Sequence, residues 1–136
     1  MKHNSNIKSM KLYNHVDRIY NELKELGKVN SELLFIDELT NFDQLHYCGT
    51  EAVDFSINKI GIDSSMSILE IGSGIGGPAR YIANETGATV IALELQSDQN
   101  EIALDLTERC GLIKNVKHVC GAVSYTHLTL PTILLV

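Results

Sequence analysis

No apolar run in this 136-residue chain approaches the roughly 20 residues needed to span a bilayer. The start, Met1 to Lys11, is polar and lacks the apolar stretch of an export signal, so a soluble, cytoplasmic protein with no membrane partner is expected. Basic residues are few and scattered: 11 Lys and Arg stand against 17 Asp and Glu, for a net charge of -6. That argues against nucleic acid as a partner, because no basic patch is available to meet phosphates. Cysteine is scarce as well. Cys48, Cys110 and Cys120 are odd in number and lack C-x-x-C spacing, which argues against a disulfide framework or a zinc site; buried reduced thiols are expected instead. His3, His15 and His118 have no companions at metal-ligand spacing, so no metal site is expected.

Against these absences stands a hydrophobic content of 44%, enough to supply one core in a chain of this length. From Asn6 to Leu26 the residues Leu12, Val16, Ile19, Leu23 and Leu26 recur at steps of three and four, which predicts a helix closed by Gly27. Ser31 to Leu39 reads as a shorter helix, Thr40 to Gly49 as a loop, and Thr50 as the N-cap of a helix running to Ile60 and closed by Gly61. From there the pattern changes. Strands are expected at Ser67–Ile71, Thr89–Leu93 and Val116–Cys120, with helices at Pro78–Thr86 and Asp98–Cys110 between them. A β-α-β-α-β order implies parallel strands, since these need long crossovers, and amounts to half of a doubly wound sheet.

The segment from Ile68 to Ala83, ILEIGSGIGGPARYIA, lies where the first strand would turn into a helix. Gly72, Gly74 and Gly77 fit G-x-G-x-x-G, a spacing that lets the backbone approach a ligand at a helix N-terminus, and by itself suits a dinucleotide as well as any adenosine cofactor. Glu70 shifts the balance: a carboxylate two residues before the first glycine repels a pyrophosphate and attracts a cationic ligand. Glu94, at the end of the second strand, can accept two ribose hydroxyls; a merely solvated strand-end acid is the alternative.

An acid ahead of G-x-G-x-G, here Glu70 with Gly72, Gly74 and Gly76, resembles motif I of class I S-adenosylmethionine-dependent methyltransferases. The wording GGPAR from Gly76 to Arg80 is similar to the small-molecule members of that family. The resemblance implies a Rossmann-like α/β fold, of which this is the amino-terminal half behind a helical leader, S-adenosyl-L-methionine as cofactor and a small-molecule methyl acceptor. It assigns cofactor contacts to Glu70, Gly72, Ser73, Gly74, Gly76, Gly77, Glu94, Leu95 and Gln96. It adds Tyr47, Gly49 and Thr50, from a loop that covers the cofactor in such enzymes; a plain capped helix start is the competing reading there. Arg80 reads as a surface or packing residue rather than a catalyst. His46 is a remote candidate for a base, with no group identified to orient it, and no catalytic residue or oligomeric state is assigned.

The final stretch, Ala122 to Val136, holds no Asp, Glu, Lys or Arg, although these make up 21% of the chain. Val123 to Thr132 resembles the in-frame translation of a transposon-type sequencing adaptor, which predicts that native sequence stops at Gly121; a real strand pair around Pro131 is the alternative. Ala122 would then stand where the family commonly has an acid near the adenine. The expected division is a helical leader and cofactor lid over 1–49, a partial methyltransferase domain over 50–121 and a non-native tail over 122–136, the fragment being inactive alone. A nucleotide-dependent oxidoreductase, NAD(P)-binding, and a non-enzymatic binding module are the rival readings.

Overall fold

The computed structural model describes residues 18–29 and 32–122. The expected helix start at Asn6 and the adaptor-like segment 123–136 lie outside the described residues. The element order is α1 (Arg18–Glu25), α2 (Ile36–Asp43), α3 (Gly49–Ile60), β1 (Ser67–Ile71), α4 (Gly77–Thr86), β2 (Thr89–Glu94), α5 (Ser97–Arg109) and β3 (Val116–Cys120). The strands form one parallel sheet in the order β1-β2-β3. In its register Glu70 lies beside Ala92, and Glu94 beside Cys120, so both acids sit at the carboxyl end of the sheet.

Two apolar clusters hold the elements. In the first, Val90 and Ala92 of β2 pack with Val53 of α3, with Ala79, Ile82 and Ala83 of α4, and with Val116 of β3. Between Val90 and Ala92, Ile91 points to the opposite face and is 37% exposed. In the second, Ile19, Leu23, Leu34 and Leu39 of the leader pack against Ile75 of the glycine turn and against Ile102 and Leu106 of α5. Leu39 and Leu106 are wholly buried, each contributing about 2 kcal/mol relative to an exposed side chain. The described leader is therefore packed on the α/β core.

The strands and α4 fall close to their expected bounds, and Pro78 sits in the first turn of α4. The leader differs. Helix α2 begins at Ile36 rather than Ser31 and runs on to Asp43, through the first residues of the expected loop. The cause is a start signal hidden in Glu38, whose carboxylate accepts the Phe35 N–H at 2.9 Å. The residues ahead of it are tied to α5 instead: Leu34 N–H donates to the Arg109 carbonyl, and the Arg109 side chain donates to the carbonyls of Val29 and Glu32. Thr50 is not the N-cap of α3. That place is taken by Cys48, in the left-handed region at φ 66°, with no side-chain cap. The expectation of buried thiols fails for Cys48 and Cys120, which are exposed at the ends of elements, whereas Cys110 is half-buried.

Candidate functional site

Strand β1 ends at Ile71 and the chain must reverse within five residues to enter α4. Gly72, Gly74 and Gly76 take φ of 75°, 54° and 77°, the left-handed region in which a side chain is strained. The turn is held to the neighbouring strand: the amides of Gly72 and Ser73 donate to the Leu93 carbonyl at 2.8 and 3.1 Å. The Gly74 amide donates to Glu94 Oε2 at 2.8 Å, and the Gln96 amide donates to Glu94 Oε1 at the same distance. Glu94 is thus tied into the turn through both carboxylate oxygens.

A cavity of about 540 Å³ opens at these strand tips. Its strand side is formed by Glu70, Gly72, Ser73, Gly74, Glu94, Leu95 and Gln96, every one of them expected at a cofactor. Its other side comes from the leader, through Asp43, Leu45 and His46. Among the described residues no Lys or Arg lines it. Glu70 Oε2 is buried without a hydrogen-bond partner. Burial pushes the Glu70 carboxyl up to about 7; the Arg80 charge opposes that shift and the Glu94 charge adds to it.

Five expected residues are not brought to the cavity. Tyr47 is 95% exposed, and Gly49 and Thr50 lie in the first turn of α3. Gly76 and Gly77 face inward instead. A Cβ at Gly76 would come within 2.7 Å of His118 Cε1, and one at Gly77 within 2.1 Å of the Asp43 carbonyl oxygen. These glycines make room for buried neighbours, above all Arg80, which packs fully inside and pairs with Asp43 at 3.1 Å. His118 belongs to the same buried group, its Nε2 lying 2.8 Å from Thr107 Oγ1. Burial first, and then the Arg80 charge, lower its pKa to about 4. His46 has its ring nitrogens 3.0 Å from the Tyr47 carbonyl and 3.1 Å from Gln44 Oε1, so the group that orients it is Gln44. Among the described residues no cluster of His, Cys, Asp or Glu is arranged to hold a metal ion, and no helix is long and apolar enough to cross a membrane.

No family model matches the chain. A stretch of 63 residues is 40% identical to a sterol 24-C-methyltransferase of Yarrowia lipolytica, covering 46% of this chain and 16% of that protein. Among solved structures, an RNA methyltransferase of Salinibacter ruber in complex with S-adenosyl-L-homocysteine superposes with a TM-score of 0.56 at 20% identity, over 60% of this chain and 53% of the other. A putative sarcosine dimethylglycine methyltransferase of Galdieria sulphuraria gives 0.53 at 20% identity, over 80% and 42%. The matched stretch is similar to curated methyltransferases, the chain spanning 16% and 17% of two of the sterol enzymes, and its fold is shared with methyltransferases solved with S-adenosyl-L-homocysteine. The methyltransferase sheet is present as its amino-terminal strands, with the glycine turn and both acids in one crevice.

Sequence reasoning missed several residues of this cavity. Gln99 in the first turn of α5, together with Pro78 and Ile75, also lines it. Gln99 and Pro78 follow strand tips at helix starts, which is the signal that could have found them. Asp43, with Leu45 and His46, belongs to the loop that the resemblance expects to cover the cofactor, though it was not itself among the assigned contacts. Ala122, where an acid is common, does reach the cavity wall and is buried.

Proposed function

We propose that this chain holds S-adenosyl-L-methionine in the cavity at its strand tips, as the donor-binding part of an enzyme that methylates a small molecule. The observation that carries the reading is the pair of carboxylates, Glu70 and Glu94, in one crevice whose lining among the described residues holds no Lys or Arg. A buried carboxylate oxygen without a partner, as at Glu70, is costly and is relieved by a cation; the donor's ammonium group supplies one. Each Glu94 oxygen already accepts one backbone amide and keeps a lone pair for a ribose hydroxyl. The bound donor supplies a methyl group on a sulfonium that is already a good leaving group. What remains for the protein is to align the reactants and exclude water, and the apolar residues Leu45, Ile71, Ile75 and Leu93 around the acids serve that end.

The oxidoreductase reading is weaker on the same geometry. A pyrophosphate needs free amides or cations, whereas the amides of Gly72, Ser73 and Gly74 donate to Leu93 and Glu94. Relatives named for sterol methylation and a net charge of -6 support a small molecule over nucleic acid as the acceptor. Because the chain spans 16% of that first relative, catalysis is assigned to the whole enzyme and donor binding to this chain. On this reading residues 1–49 form a leader that walls the site and 50–121 the donor-binding core. Calorimetry of this chain with S-adenosylhomocysteine and with NAD tests the proposal. Binding of the first is expected, and binding of NAD alone would overturn it.

A further inference from the structure

Arg80 does not line the cavity, yet its guanidinium joins the three elements around it. Its Nη2 donates to Asp43 Oδ2 at the end of α2, while Nη1 donates to the Ala103 carbonyl and to Thr107 Oγ1 of α5, both at 3.3 Å. Arg80 is fully buried and Asp43 is 2% exposed. From Asp43 the contacts continue into the leader: its other oxygen accepts Gln44 Nε2 at 3.0 Å, and Gln44 Oε1 meets His46 Nε2. Asp43 and His46 both line the cavity. The approach of α2 to α4 also depends on Gly77, where a Cβ would strike the Asp43 backbone.

A buried ion pair is a poor device for stability alone, because apolar residues of similar volume often do as well or better. It does fix direction. Arg80 offers a planar fork whose donors reach α2 and α5 at once, and Asp43 is thereby set at one height against the glycine turn. We propose that Arg80 is a positioning residue for the donor site: acting through Asp43, it fixes segment 43–46 as the leader-side wall, so that affinity for the adenosyl ligand depends on an ion pair remote from the strand-tip acids. This rests on the function proposed above.

The test measures S-adenosylhomocysteine binding by calorimetry on this chain and on Asp43→Asn, Arg80→Lys and Gly77→Ala, each checked for fold by circular dichroism. Amide hydrogen exchange over residues 43–47 is followed in parallel. Asp43→Asn and Gly77→Ala are expected to weaken binding by about tenfold or more, since a misplacement of about 1 Å can cost up to roughly a hundredfold. Exchange at 43–47 should rise in both while β2 stays protected. Arg80→Lys, which keeps the charge and loses the fork, should fall between these and the wild type. A purely structural role would lower the melting temperature and leave the affinity of the folded protein unchanged. Variants that bind within about twofold of the wild type, inside the usual scatter of neutral substitutions, while 43–47 exchanges faster would overturn the inference. Should Asp43→Asn fail to fold, Gly77→Ala carries the test with both charges intact. A wild-type chain that binds no S-adenosylhomocysteine sinks the proposed function itself, and this inference with it.

Discussion

On the strand side of the cavity, Glu70 and Glu94 are placed by local order: each lies at the carboxyl end of a strand, and Glu94 holds the Gly74 amide across a register that the sheet itself fixes. On the leader side, Asp43 is placed by an arginine 37 residues away, and His46 by its link to Asp43 through Gln44. The strand side is held to backbone and the leader side to side chains. Backbone ladders survive most single substitutions, whereas a side-chain network fails when one member is removed. The two sides should therefore break differently: the first by losing the ligand with the fold intact, the second by losing affinity and stability together.

The largest effect is expected on the leader side. Asp43→Ala leaves the Arg80 guanidinium buried without its carboxylate and should destabilise the chain by about 3–5 kcal/mol, read as a fall in the urea midpoint. A loss below about 1 kcal/mol would show that water enters the site and that the leader is loosely held. Next comes Glu94→Ala. It removes the acceptor of two backbone amides and of the proposed ribose contacts, and should weaken S-adenosylhomocysteine binding about a hundredfold, the scale of charge-assisted hydrogen bonds. Equal binding in calorimetry would leave Glu94 as a loop anchor only.

How far each side was legible in the sequence follows from the same difference. Strand periodicity, the glycine spacing and the two acids are short-range patterns, and β1, β3 and the seven strand-side residues appear where those patterns put them. The start of α2 is several residues later than its pattern predicts, because Arg109 holds Val29, Glu32 and Leu34 against α5 by bonds spanning up to 80 positions. The same holds for Gly76 and Gly77: spacing shows that small residues are needed, but not that their room is taken by His118 and Asp43. Arg80 was legible only as a packing residue, since burial of a charge depends on a partner that no local pattern names.

Glu70 of the strand side can be tested by pH. The Glu70 carboxyl has its pKa raised by burial from 4.5 to about 7, so between those values the folded chain binds a proton that the unfolded chain has released. The stability this contributes is present below pH 4.5 and lost as pH rises to about 7, with a slope of at most about 1.4 kcal/mol per pH unit. Glu70→Gln should flatten that segment of the stability curve. A cationic ligand binds the ionised form, so S-adenosylmethionine affinity should rise with pH over the same window in the wild type and not in the variant. An unchanged slope in Glu70→Gln would move the titration to another group.

The smallest effect sharpens the border between the two sides. Tyr47 follows His46 directly, but its side chain is 95% exposed and outside the cavity lining. If segment 43–46 already stands as the finished wall, Tyr47→Ala touches neither the ligand nor the ion pair, and calorimetry should find S-adenosylhomocysteine affinity within about twofold of the wild type, as for other exposed positions. A fall of more than about fivefold would mean that the ring folds inward over the ligand. The leader side would then close upon binding, while the backbone-held strand side stays as it is.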